Sequence, residues 1–276
     1  MTPAPTRLAI PTAPRPPMPG GLPPRANIAF GKVPVGGGHR VILYGPGGIG
    51  KTTLAAGLPG KTVFFDLDES LSRLRDLSGA TVVPGIQTWA DVRAALQAPG
   101  WDGVSNIVLD SFTKAEELAV AHTLENVLAE GKRVSSVEGY GYGKGYGYVY
   151  DTVLPLLADL DRHCRAGRNV ILICHDCTCS VPNPSGEDWL RYEPRLQSPA
   201  SGKASIRLRV REWSDHVLFV GYDVAVSKDG KGQGAGTRTI YPTELPHCMA
   251  KSRTVRDQMV LSDNNAADVW ATILGK

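Results

Sequence analysis

The sequence lacks the features that mark several classes of protein. Its five cysteines are an odd number, and three of them cluster at Cys174, Cys177 and Cys179, which is not the pattern of a secreted disulfide framework. No apolar run approaches the roughly 18 residues that a membrane-spanning helix needs. The formal net charge is only +3 over 276 residues, so any nucleic-acid contact must come from local basic loops. We therefore expect a soluble, cytoplasmic protein that makes no membrane contact.

Large apolar side chains are also scarce in the first 26 residues, where proline dominates. Such a segment cannot bury enough surface to offset the entropy that it loses on ordering. We expect residues 1–26 to form a disordered tail, with docking of a partner protein as the functional alternative. Residues 27–276 contain enough apolar side chains for a core and are predicted to form the folded domain.

The most informative motif is a glycine-rich loop between an apolar strand at residues 41–44 and a helix start. Glycines let backbone N–H groups close around an anion, a lysine reaches the β- and γ-phosphates, and the hydroxyl after it can hold Mg²⁺. The positive end of the helix dipole adds to the attraction. The sequence therefore predicts a nucleoside triphosphate site. Its G-x-x-x-x-G-K-T residues and the following threonine are Gly45, Pro46, Gly47, Gly48, Ile49, Gly50, Lys51, Thr52 and Thr53.

Strands and helices alternate after this loop. Apolar strands are predicted near residues 62–69, 106–111 and 169–176, with amphipathic helices near 88–98, 113–130 and 148–167. This β-α-β-α order is typical of a mostly parallel sheet flanked by helices, so the predicted fold class is α/β. Segments near residues 205–210, 213–226 and 237–241 predict a C-terminal antiparallel β extension of the sheet.

Polar residues end the predicted strands, at the sheet edge where open α/β folds bind ligands. Asp110 is expected to hold Mg²⁺ together with the loop threonine, although an aspartate here could also cap the next helix. Ser111 follows it where many ATPases have a glutamate, so either the carboxylate that activates water comes from elsewhere or the protein hydrolyses poorly. Asp68 or Glu69 is the candidate, with plain surface acids as the alternative. His175 is either a sensor of the γ-phosphate or a structural histidine.

Two irregular stretches, residues 132–147 and 176–204, combine aromatic and basic side chains. Glycine alternates with tyrosine in the first, and the second lacks periodicity over a length that is usually functional or disordered. Aromatic rings stack on bases and basic groups bind phosphates, as a loop that binds single-stranded DNA requires. A flexible lid or an oligomer contact is the alternative for the first stretch. The candidate DNA-binding residues are Tyr140, Tyr142, Lys144, Tyr146, Trp189, Arg191, Tyr192 and Arg195.

Taken together, these motifs resemble the RecA-like superfamily of P-loop ATPases. Residues 65–68, Phe-Asp-Leu-Asp, resemble the RecA strand whose end bears the catalytic glutamate, so the resemblance gives that role to Asp68. His175 falls where recombinases have a glutamine sensor, and the two irregular stretches fall where they have DNA-binding loops. The Lys-x-Arg at Lys251 and Arg253 resembles the finger that ring ATPases insert into a neighbour's site. Within the superfamily, the chain looks most like phage-encoded AAA/RecA-type ATP-binding proteins of single-strand annealing and recombination.

This resemblance implies a Mg-ATP-dependent, DNA-stimulated ATPase that acts on single-stranded DNA. It implies a ring or filament of identical subunits in a bacterial or phage-infected cell. Two alternatives stay open: a hexameric helicase or translocase motor, and a nucleotide-gated binding module with little hydrolysis. A GTPase is disfavoured because the sequence has no Asn-Lys-x-Asp motif. The implied catalytic residues are Lys51, Asp68 or Glu69, His175, and a neighbour's Lys251 or Arg253.

Overall fold

The computed structural model describes residues 30–31, 36–74, 77, 80–183, 185–201, 203–226 and 232–275. The chain divides into two units, residues 1–35 and 36–276. The predicted tail, residues 1–26, lies outside the described residues, so the features below belong to the second unit.

Within the described residues, eight strands form one mixed sheet. They are β1 (Arg40–Tyr44), β2 (Thr62–Asp66), β3 (Ala80–Val82), β4 (Asn106–Asp110), β5 (Asn169–Cys174), β8 (His216–Val226), β9 (Gly232–Tyr241) and β10 (Met259–Leu261). Their order across the sheet is β10-β9-β8-β1-β5-β4-β2-β3. The strands from β8 to β3 are parallel, and β9 and β10 continue the sheet antiparallel. A separate hairpin pairs β6 (Asp176–Val181) with β7 (Trp189–Pro194). The predicted α/β P-loop fold with its antiparallel extension is confirmed.

Helices cover both faces of this sheet. They are α1 (Lys51–Ala56), α2 (Trp89–Gln97), α3 (Phe112–Asn126), α4 (Lys144–Arg165), α5 (Ile206–Trp213) and α6 (Ala266–Leu274), with 3₁₀ turns at Leu71–Arg73 and Val137–Tyr140. Side chains alternate between the faces of a strand, so that Ile42 and Tyr44 pack with α2 to α5, whereas Val41 and Leu43 pack with α1 and α6. Among the described helices, none is both long and apolar enough to cross a bilayer.

The register of the parallel strands brings their carboxyl ends together at one edge of the sheet. Tyr44 at the end of β1 lies opposite Cys174 at the end of β5. Asp110 at the end of β4 lies between Asp66 on β2 and Ile173 on β5. The loops that leave these strands therefore start side by side, and they carry the glycine-rich motif and the strand-end acids.

One predicted strand is wrong, because residues 205–210 form the start of α5. Ile206, Leu208 and Val210 alternate with arginines and serine, which favoured a two-residue period. In the structure, Ile206, Val210 and Trp213 form the buried face of a helix, and the Ser205 hydroxyl accepts a hydrogen bond from the Leu208 N–H at 3.2 Å. An N-cap and an i, i+4, i+7 apolar face outweigh the short alternation.

The two irregular stretches also contain more regular structure than predicted. Helix α4 begins at Lys144 rather than near residue 148, so part of the glycine–tyrosine stretch is helical. A Cβ on Gly145 would lie 2.1 Å from the carbonyl oxygen of Val137, so this glycine is required by close packing. In the second stretch, strands β6 and β7 pair continuously from Asp176 opposite Pro194 to Val181 opposite Trp189.

Candidate functional site

The glycine-rich loop follows β1 and leads directly into α1. Gly45 has φ +151°, and a Cβ there would lie 2.1 Å from the carbonyl oxygen of Val220 on β8, so no side chain fits. Gly48 and Gly50 have φ of +75° and +99°, which other residues rarely adopt. These backbone angles turn the chain sharply so that α1 begins at Lys51 with its N-terminal amides at the loop.

Lys51 lies buried inside the loop. Its ammonium donates hydrogen bonds to the carbonyl oxygens of Gly45 and Pro46 at 2.6 and 2.8 Å. Burial lowers the pKa of Lys51, and the carboxylates of Asp176 and Asp110 oppose this shift. Both acceptors are neutral carbonyl oxygens, so they do not cancel the charge of an ammonium at this helix N-terminus. That arrangement suits a multiply charged phosphate chain.

Thr52 and Asp110 form a second polar pair at the same place. The Thr52 hydroxyl donates to a carboxylate oxygen of Asp110 at 2.6 Å. Burial raises the pKa of Asp110, and the hydrogen bond from Thr52 opposes the rise. A hydroxyl and a carboxylate are the hard oxygen ligands that Mg²⁺ takes beside substrate phosphates, so the donor set fits this ion.

The strand-end residues Asp68 and His175 face each other across this edge. The Asp68 carboxylate lies 3.5 Å from Nε2 of His175. The backbone N–H of His175 donates to the Thr113 hydroxyl at 3.1 Å, which ties the end of β5 to α3. Asp66 accepts hydrogen bonds from the N–H groups of Ser70 and Leu71, which closes the turn that carries Asp68. These hydrogen bonds fix the backbone at His175 and in the turn that carries Asp68, and so position both side chains.

These groups line one cavity of about 320 Å³. The structure thus brings together the loop, Lys51, Thr52, Asp110, Asp68 and His175. Glu69 follows Asp68 with φ +52°, is exposed, and lies outside this lining. The geometry therefore favours Asp68 over Glu69 as the carboxylate of the site. The full lining is Gly47, Gly48, Gly50, Lys51, Thr52, Thr53, Asp68, Ser70, Leu74, Asp110, Ile173 and His175.

Lys251 and Arg253 lie at the opposite edge of the sheet. Lys251 pairs with Val217, which stands beside Ile42 near the start of the parallel strands. Its ammonium donates to the carbonyl oxygen of Arg211 at 2.7 Å, and burial lowers its pKa. The Arg253 guanidinium lies 2.9 Å from the carboxylate of Asp215. Within one subunit these cations are thus remote from the cavity, and a role at the phosphates needs a second copy.

Two of the candidate DNA-binding residues are buried, which contradicts the role predicted for them. Tyr140 is only 8% exposed, and its hydroxyl donates to the carbonyl oxygens of Thr123 and Val127, so its ring holds α3 to the following turn. Arg191 is 9% exposed and its guanidinium pairs with the carboxylates of Glu193 and Glu244. Neither side chain presents a free surface to a base or a phosphate.

The other candidates are more accessible. Tyr142 is fully exposed, and Trp189 is 42% exposed on β7. Tyr192 stacks on Phe219 with ring centroids 5.1 Å apart, and Tyr146 donates its hydroxyl to Glu138 at 2.9 Å. Lys144 and Arg195 are exposed.

Arg238 is a neighbour of the site that the motifs did not reveal. It lies on β9, and its guanidinium donates to the carbonyl oxygen of Ile49 in the loop at 3.1 Å. The same group pairs with Asp263. Its place in the sequence predicted only a strand of the C-terminal antiparallel extension. The contact depends on the strand register across three strands, which no local pattern contains.

Comparison with known proteins agrees with this geometry. A family model described as "AAA domain" matches residues 38–254, which include the loop, the strand-end acids and His175. The search of curated proteins finds no match to the chain. The matched region spans most of the 276 residues and contains every group that lines the cavity. The chain therefore belongs to the AAA domain family of nucleotide-binding P-loop ATPases.

Proposed function

We propose that the protein is a Mg-ATP-dependent ATPase that acts on single-stranded DNA in annealing or recombination, as an assembly of identical subunits. The observation that carries the ATPase part is the cavity at the carboxyl edge of the sheet. There a buried lysine, a hydroxyl–carboxylate pair and an aspartate–histidine pair surround one space of about 320 Å³. These groups together can bind a terminal phosphoryl group and a divalent ion.

The proposed reaction is in-line attack of water on the γ-phosphate, which breaks the bond to the β–γ bridging oxygen and releases ADP and inorganic phosphate. Lys51 stabilises the negative charge that develops on the phosphoryl oxygens. Thr52 and Asp110 would hold Mg²⁺, which neutralises charge on the β- and γ-phosphates when it is bound. Asp68 orients the attacking water, and His175 contacts the γ-phosphate from the neighbouring strand. Because Asp68 and His175 are within 3.5 Å of each other, one residue's position depends on the other's.

Exposed side chains outside the cavity support the DNA part of the proposal. Tyr142 and Trp189 expose aromatic faces, and Lys144 and Arg195 are exposed cations. Aromatic and basic groups of this kind bind single strands by stacking and phosphate contacts. Hairpin β6–β7 begins at Asp176, directly after His175. Single-stranded DNA bound to this hairpin would therefore act on the γ-phosphate site through Asp176.

The test measures ATP hydrolysis with and without single-stranded DNA, together with the mass of the assembly. We expect DNA to stimulate turnover, Lys51→Ala to abolish it, and Lys61→Ala, which changes an exposed lysine, to leave it unaltered. Turnover that no nucleic acid changes would remove the DNA role and leave the ATPase. Absence of both ATP binding and turnover in the wild type would refute the whole proposal.

The two alternatives give different results in the same assays. A helicase or translocase motor would unwind duplex DNA in one direction, whereas an annealing protein would not. A nucleotide-gated binding module would bind ATP without releasing phosphate. The shorter side chain of Asp68, where the resemblance expects a glutamate, favours this module as the second candidate.

A further inference from the structure

An aromatic side chain and an arginine lie opposite each other on β8 and β9, where these strands extend beyond the end of β1, and the arginine contacts the glycine-rich loop. Tyr222 on β8 is the direct cross-strand partner of Arg238 on β9. Tyr44, the last residue of β1, lies opposite Phe219, so Tyr222 is three residues further along, about 10 Å beyond the end of β1. The Tyr222 side chain is 48% exposed.

Both side chains lie on the sheet face that carries α1. Val220 and Ile240, two residues from Tyr222 and Arg238 on their strands, are buried in the core that packs against α1 and α6. Since side chains alternate along a strand, Tyr222 and Arg238 share that face. The hydrogen bond from Arg238 to the Ile49 carbonyl oxygen confirms this side for the arginine.

The position of the phosphate site decides where a nucleoside must lie. Asp110, Asp68 and His175 follow β4, β2 and β5, which lie on one side of β1 in the sheet. β8 and β9 lie on the other side of β1. A triphosphate whose last phosphoryl group contacts the acids, and whose other phosphates follow the loop amides, extends its nucleoside toward β8 and β9.

We infer that the base of the bound nucleotide stacks on the ring of Tyr222, beside the Arg238 guanidinium that holds the loop at Ile49. This inference rests on the proposed nucleotide-binding function and adds the base subsite to it. An exposed aromatic ring offers a flat apolar face to any purine, and a guanidinium beside it can stack on the same base or on its edge. Asp263 pairs with Arg238 and so keeps its planar group at the loop.

The experiment compares the dissociation constants of Mg-ATP and Mg-tripolyphosphate, which has the phosphates without the nucleoside. Stacking of a base on an aromatic side chain predicts that Tyr222→Ala weakens ATP binding roughly tenfold. It leaves tripolyphosphate binding unchanged, and Tyr222→Phe, which keeps the ring, binds both ligands like the wild type. Val260→Ala on β10 is the control, since Val260 is exposed on the opposite face from the buried Leu261.

The possible results separate this inference from the function on which it rests. ATP affinity of Tyr222→Ala within twofold of the wild type overturns the base subsite and leaves ATP binding intact. An equal loss of ATP and tripolyphosphate binding also overturns it, because the ring would then act on the loop. A wild type that binds neither ligand refutes the proposed function, and the base subsite with it.

Discussion

Glu116 on α3 provides a stability test that depends on a single carboxyl group. The side chain is partly buried, and one of its oxygens accepts a hydrogen bond from the backbone N–H of Gln197 at 2.7 Å. Burial raises the pKa of Glu116 from 4.5 to about 7, and the hydrogen bond from Gln197 opposes part of the rise. The unfolded chain therefore releases this proton at a lower pH than the folded chain does.

The sign and the size of the effect follow from that difference. Between pH 4.5 and about 7 the folded state binds more protons than the unfolded state, so the free energy of unfolding falls as pH rises and becomes constant above pH 7. At 1.36 kcal/mol per pKa unit, the shift corresponds to about 3 kcal/mol, or about 2 kcal/mol after allowance for partial solvent exposure. Glu116→Gln removes the ionisation and can keep the hydrogen bond to Gln197.

Urea unfolding of both proteins at pH 5 and pH 8 measures this contribution. We expect Glu116→Gln to be more stable than the wild type by about 2 kcal/mol at pH 8 and to differ much less at pH 5. Glu117→Gln is the matched control, because Glu117 is exposed and its ion pair with Lys114 contributes little. Equal stability of Glu116→Gln and wild type at pH 8 would show that the carboxyl group is not buried as described.

Three further predictions concern the site itself. Gly45→Ala should lower Tm by several degrees, because its Cβ would lie 2.1 Å from a carbonyl oxygen, whereas Gly47→Ala, with nothing within 4 Å, should not. Asp68→Asn should lower the rate of ATP hydrolysis about 100-fold or more with little change in ATP affinity, whereas Glu69→Gln should not; equal losses in both variants would reject the assignment. Arg253→Ala should keep ATP binding but lower turnover of the assembled protein, and normal turnover would exclude a role in a neighbour's site.

Local sequence predicted the parts of the fold in which a pattern of adjacent residues determines the conformation. The loop glycines and Lys51 occur at a spacing that only a phosphate-binding turn requires, and buried parallel strands appear as apolar runs. The prediction for residues 205–210 was wrong because a strand and a helix can share so short an apolar pattern. Tyr140 and Arg191 were predicted to bind DNA because residue type alone does not reveal a buried hydrogen bond or ion pair.

The sequence by itself determined that this chain has a phosphate-binding loop in an α/β fold, because that loop is built from nine consecutive residues whose backbone angles are encoded locally. Only the tertiary structure decided that Asp68, rather than Glu69, lies at the cavity. It also decided that Arg238, which is 189 positions away in the chain, contacts the loop at Ile49. Those contacts depend on the order and register of strands that are distant in the sequence, both parallel and antiparallel, and that order is set by packing across the whole sheet.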